Sequence, residues 1–112
     1  MFVKEYIKLI DSATSTTVAD IINNTHCDTL SLNVSGTATS LTITIEANNT
    51  FNSTEYQSIA AIKLSDFSVN ETITSTGLYE IPIEAAANIK VSLTAVSGGT
   101  VTAEARLVNT GV

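Results

Sequence analysis

Leu30-Ser31-Leu32-Asn33-Val34, then Ser35-Gly36-Thr37-Ala38-Thr39, then Leu41-Thr42-Ile43-Thr44-Ile45-Glu46 is the stretch that decides the fold class. Apolar and polar residues alternate on both sides of a short polar linker. Successive side chains on a strand point to opposite faces, so each half reads as a strand with one dry and one wet face. That is the habit of antiparallel sheets. The Ser-Gly linker supplies turn residues, and the spacing predicts a hairpin.

The same pattern returns near the C-terminus. Ile89-Lys90-Val91-Ser92-Leu93-Thr94-Ala95 alternates, and so does Val101-Thr102-Ala103-Glu104-Ala105-Arg106-Leu107. Val96-Ser97-Gly98-Gly99-Thr100 lies between them and predicts a second hairpin. Ser31-Leu32-Asn33-Val34-Ser35-Gly36 is echoed by Ser92-Leu93-Thr94-Ala95-Val96-Ser97-Gly98, which suggests two similar hairpins, one in each half.

Weaker strands fill the rest. Phe2 to Ile10, Ile59 to Leu64, Glu71 to Thr74 and Leu78 to Ile83 read as strands, the last two flanking a turn at Ser75-Thr76-Gly77, and Thr16 to Ile22 reads as a strand or partly as a loop. Pro82 lacks an amide donor and belongs at an edge or a strand end. Glu84-Ala85-Ala86-Ala87-Asn88 is the one helix-friendly run, too short to stand alone, and reads as a turn. Asn48 to Thr54 is a polar loop. About eight strands with regular turns predict an all-β chain, a two-sheet antiparallel β-sandwich forming one domain over residues 1–112. A jelly roll and an immunoglobulin-like Greek key both fit. The absence of Trp and of a Cys pair excludes a close match to an antibody domain.

Composition agrees. Ser and Thr make up about a quarter of the chain, and charged residues only 14%, against roughly 25% in ordinary domains. β-Branched side chains pack well on a pleated sheet and lose rotamer freedom in a helix. The net charge is −6. Lys4, Lys8, Lys63, Lys90 and Arg106 are scattered, so there is no basic patch for nucleic acid or for an anionic membrane. Cys27 is the single cysteine, so no internal disulfide forms, and a reducing compartment is expected. The start, Met1-Phe2-Val3-Lys4-Glu5-Tyr6-Ile7-Lys8, has charges in place of a signal peptide's apolar segment and is expected to enter a strand directly.

Candidate reactive residues each have a plainer reading. His26 and Cys27 are adjacent, but strand neighbours face opposite ways, so the expectation is a packed Cys beside a solvent-facing His. One His and one Cys fall short of a metal set. Glu46, Asn48, Asn49, Asn52 and Glu55 could gather oxygens for calcium, yet no calcium-loop spacing is present, and a solvated turn is expected. No carboxylate pair is identifiable. Asn23, Asn33, Asn48, Asn52 and Asn70 each begin an Asn-X-Ser/Thr triplet, which this composition produces by chance. Tyr6, Tyr56, Tyr79 and Phe51 could form a sugar platform, though core and interface roles fit them better. A Lys–Asn isopeptide would need Lys4 or Lys8 beside Asn109. Catalytic, cofactor and metal residues are therefore expected to be none, and the chain is expected to be non-enzymatic.

Four segments resemble small β-sandwich proteins of tailed-phage structural modules. These are Lys8 to Thr17, Cys27 to Ala38, Gly77-Leu78-Tyr79-Glu80-Ile81-Pro82-Ile83, and Ile89 to Thr102. The resemblance implies a virion accessory protein, in particular a capsid decoration protein on the outside of the head. It would bind the major capsid protein or other virion proteins as a homo-oligomer, without cofactors. A neck, tail or fibre-associated protein is the alternative, and a cell-surface carbohydrate-binding module is another.

Overall fold

The computed structural model describes residues 2–23, 26–50 and 54–111. They form β1 (Phe2–Ala13), β2 (Thr17–Ile22), β3 (Thr29–Gly36), β4 (Ser40–Asn48), β5 (Gln57–Ser58), β6 (Ala61–Lys63), β7 (Val69–Asn70), β8 (Thr72–Ile73), β9 (Gly77–Pro82), β10 (Asn88–Ser97) and β11 (Val101–Asn109). One sheet has the order β1-β11-β3-β9-β6-β7. The other has the order β2-β10-β4-β5, with β8 also on β4.

The pairing is nested. β1 pairs with β11, β2 with β10, β3 with β9 and β4 with β8, all antiparallel. The chain is thus one long hairpin, and folding it across itself adds the pairs β11·β3 and β10·β4. That is the topology of a jelly roll, so of the two connectivities open to the sequence it is this one. Eight strands make the roll. The short β5, β6 and β7 are an insertion between β4 and β8, which is why eleven strands form where about eight were expected.

The two Gly-containing linkers are not hairpins. β3 and β4 lie in different sheets, as do β10 and β11. Each linker is an arch that crosses the sandwich, and the two arches lie against each other. Thr37 N and Ala38 N donate to Thr100 O at 3.0 and 3.1 Å, Thr39 N donates to Ser97 O at 3.0 Å, and Thr100 N donates to Thr37 Oγ1 at 3.1 Å. Gly99 has φ +149, and a Cβ there would come within 2.6 Å of the Thr37 carbonyl oxygen. Glycine is required at that contact because the neighbouring backbone leaves no space. The turn at 74–76 likewise crosses between sheets, from β8 to β9.

The sequence echo has a structural counterpart in this crossing. The pair Val34↔Ala103 corresponds to Val96↔Leu41, and Leu32↔Ala105 corresponds to Leu93↔Ile43. The second copy of the echo is one residue longer, and the register of β10 on β4 shifts between Leu93 and Ala95. The extra residue is absorbed as a bulge, the usual fate of an unpaired strand residue.

Alternation sorts the side chains as expected. Leu30, Leu32, Ile43, Ile45, Val91 and Leu93 are all buried, together with Ile81, Ile89, Ala103, Ala105 and Leu107. Pro82 ends β9, and Glu84 to Ala87 forms a turn.

Candidate functional site

At the end of the sandwich opposite the glycine arches, β2→β3 meets β9→β10. Asn23 joins them. Its side chain is 95% buried. Its Oδ1 accepts from Cys27 N at 3.1 Å, and its Nδ2 donates to Cys27 O at 2.9 Å and Ala86 O at 3.1 Å, with Ile83 O at 3.4 Å. Asn23 N donates to Ala87 O, and Ile83 N donates to Asp28 O. Asn23 is therefore a structural clamp. In the sequence Asn23 reads only as the start of an Asn-X-Ser/Thr triplet, because Ile83 and Ala86, which share its side chain with nearby Cys27, come from a segment sixty residues away.

Asp28 tethers the C-terminal residues at the same end. Its carboxylate accepts from Thr110 Oγ1 at 2.7 Å, from Thr110 N at 3.1 Å and from Thr29 Oγ1 at 2.9 Å. The Thr110 hydroxyl bond, supported by the other donors, holds this carboxyl below its ordinary value.

Cys27 is buried and His26 exposed. Of the oxygen-bearing candidates, Asn48, Asn49 and Glu55 line a common concave surface. Glu46 lies on the outer face of β4 opposite Lys90, Asn48 Oδ1 accepts from Asn88 Nδ2 at 2.9 Å, and Asn49 Oδ1 accepts from Thr50 Oγ1 at 3.2 Å. Asn52 and Phe51 lie outside the described residues. Among the described residues no three His, Cys, Asp or Glu side chains gather as metal ligands. β1 and β11 do pair, with Phe2 opposite Asn109. Lys8 lies opposite Glu104, however, and contacts Asp11 at 3.9 Å, so it does not reach Asn109.

The three tyrosines do not form one platform. Tyr79 is in the core, with its hydroxyl donating to Ser75 O at 2.8 Å. Tyr56 sits by the outer face of the five-stranded sheet, with Lys90 Nζ 4.2 Å from its ring centre. Tyr6 is on the outer face of the other sheet. Ser75 Oγ also lies 2.9 Å from Lys63 Nζ and 3.1 Å from Tyr79 Oη. Lys63 donates to Ser75 Oγ and Tyr79 donates to Ser75 O, so the cluster acts as a brace between β6 and the β8–β9 turn.

Two concave surfaces stand out among the described residues. One, of about 490 Å³, lies at the Asn23 end between Asn48, Gln57, Ile59, Pro82, Ile83 and Ala86. The other, of about 630 Å³, is a trough on the outer face of the six-stranded sheet, lined by Tyr6, Ser31, Asn33, Leu78, Glu104 and Arg106. Apolar side chains are also displayed near the sheet edges. Val18 and Ile22 on β2 are 57% and 58% exposed, and Phe67 and Val69 at the β6–β7 turn are 75% and 70% exposed.

The XepA family model matches residues 4–107. The chain belongs to the XepA family. The SPBc2 prophage-derived protein YomS has a similar structure, with TM-score 0.77 and 20% identity over 91% of each chain. The PBSX exported protein XepA is similar with TM-score 0.83 and 15% identity over 91% of this chain. The match takes in 36% of XepA, so this chain corresponds to about a third of that protein. No curated protein matches the chain. The two structures share the fold, and one of them, YomS, is a prophage-derived protein.

Proposed function

We propose that this chain is a non-enzymatic phage accessory protein that acts by assembly, and that its place is the virion exterior as a capsid decoration protein. The observation that carries the assembly reading is the display of Val18 and Ile22 on β2, the outermost strand of its sheet. An edge strand offers backbone groups for pairing, and exposed apolar side chains add area to be buried. β1 borders the other sheet on the same flank, so two sheet edges are available together. The phage setting is supported by membership of the XepA family and by the likeness to the SPBc2 prophage-derived protein YomS. The partners proposed are the major capsid protein or another virion protein and further copies of this chain. With a net charge of −6 and dispersed cations, neither nucleic acid nor an anionic membrane is a partner.

Quantitative mass spectrometry of purified particles tests this reading. A decoration protein is present at copy numbers comparable to the major capsid protein. A handful of copies per particle moves the chain to the neck or tail. Absence from particles, with the chain free in the medium, removes the virion reading altogether. That last outcome favours a second reading, suggested by XepA being an exported protein, in which the chain acts outside the cell that makes it.

A further inference from the structure

The trough on the outer face of the six-stranded sheet follows from two cross-strand rows. Tyr6, Arg106, Ser31 and Glu80 lie side by side on β1, β11, β3 and β9. Lys8, Glu104, Asn33 and Leu78 form the next row. The outward residues of β3 are short, and those of its neighbours on both sides are long. The central strand is therefore the floor of a channel, with Glu104 and Arg106 as one wall and Leu78 as the other. Tyr6 closes the Arg106 side. Its hydroxyl donates to Glu104 Oε2, and the Arg106 guanidinium lies 5.8 Å from its ring centre. Both contacts fix the orientation of the ring, yet Tyr6 stays 54% exposed and Leu78 45% exposed.

We infer that this trough is a binding site for a neutral saccharide. The chemistry of the lining selects that class. Asn33 and Ser31 on the floor can each both donate and accept, Arg106 only donates and Glu104 only accepts. Hydroxyl groups around a sugar ring need that mixture. An anionic ligand meets Glu104, and a cationic one meets Arg106, so a neutral ligand is preferred. Tyr6 and Leu78 give apolar surface to the ring's C–H faces, while Ser31, Asn33, Glu104 and Arg106 make the lining more polar than that of the usual small-molecule site. The volume of about 630 Å³ lies in the range typical of such sites. The trough is open and shallow, so a dissociation constant on the order of 1 mM is expected. This inference goes beyond the assembly proposal and does not depend on where the chain sits in a particle.

The test is an amide NMR titration of the full chain with tetrasaccharides of N-acetylglucosamine, glucose, galactose and mannose, each to about 10 mM. At least one is expected to shift the resonances of Tyr6, Ser31, Asn33, Leu78 and Arg106. Tyr6→Ala is expected to weaken binding about tenfold or more. Asn33→Arg, which fills the floor at an exposed position, is expected to abolish it. Tyr56→Ala on the opposite sheet leaves binding unchanged, and each variant's spectrum reports whether it is folded. The inference is overturned if no tetrasaccharide moves these resonances. It is equally overturned if the shifts gather around Tyr56, or if the folded Tyr6 and Asn33 variants bind as the wild type does.

Discussion

Replacing Asn23 with Ala tests whether the second pair of arches is held by one side chain. The substitution strips the buried Cys27 amide of the oxygen it donates to at 3.1 Å, and strips Cys27 O and Ala86 O of donors at 2.9 and 3.1 Å. An orphaned buried donor costs about 1–3 kcal/mol, and a carbonyl with a second lone pair costs less. The loss is therefore expected near 3 kcal/mol, a large share of the roughly 5–15 kcal/mol a domain has. For a domain of this size that is roughly 10–20 °C in Tm and about 1–3 M in the urea midpoint, with an unchanged slope. Asn33→Ala on the exposed face should fall within about 0.5 kcal/mol of wild type. Asn23→Asp sharpens the argument. It keeps an acceptor for Cys27 N but turns a charge toward carbonyl oxygens, which raises its folded-state pKa. Its stability should accordingly rise as pH falls through that value. An Asn23→Ala loss below about 1 kcal/mol would refute the clamp.

Three further perturbations have definite signs. Gly99→Ala forces φ +149 on a residue with a Cβ, which would lie 2.5 Å from the Thr37 carbonyl carbon; the φ alone costs about 1–3 kcal/mol, and thermal melts should show it. Asp28, whose carboxyl is lowered by Thr110, stabilises the fold above the ordinary carboxylate range and loses that contribution as pH falls through its depressed value. The urea midpoint of Asp28→Asn should accordingly depend less on pH below about 4. Ile43→Asp buries an unpaired charge at a fully enclosed core position and should abolish the folded state by circular dichroism.

The period-two signal was sufficient for the core. Leu30, Leu32, Ile43, Ile45, Val91 and Leu93 were legible because burial on a strand is a local property of alternation. Hairpins and arches were not separable, because both need a short linker that tolerates unusual φ values. What makes Gly36 to Thr39 an arch is the second arch at Gly98 to Thr100, a partner distant in sequence. β5, β7 and β8 are two residues each and carry no period. The trough was hidden for a related reason. Ser31, Asn33, Tyr6, Glu104 and Arg106 look like ordinary wet-face residues until the register places their strands side by side. Tyr6 was singled out, but beside the wrong companions. Its ring belongs with Arg106 and Glu104, and Tyr56 and Tyr79 are elsewhere.

The nested pairing also bears on how such a chain would act by assembly, as proposed above. Each half supplies strands to both sheets, and each pair of arches takes one member from each half. Neither half can bury its apolar face alone, so the core is committed to holding the roll together. Function is then left to the outer faces and the edges, where side chains are free of packing demands. The chain uses that freedom unevenly. β3 carries short residues on its outer face and so opens the trough, and β2 carries Val18 and Ile22 outward at a free edge. Exposed branched apolar residues at an edge invite association, which monomeric proteins avoid with charges or proline. Asp20 lies between them, and Lys90, opposite it across the ladder, places its ammonium over the Tyr56 ring, so β2 carries a single charge between its two exposed apolar residues. That combination is the physical argument behind the proposal that the chain works by being joined to others.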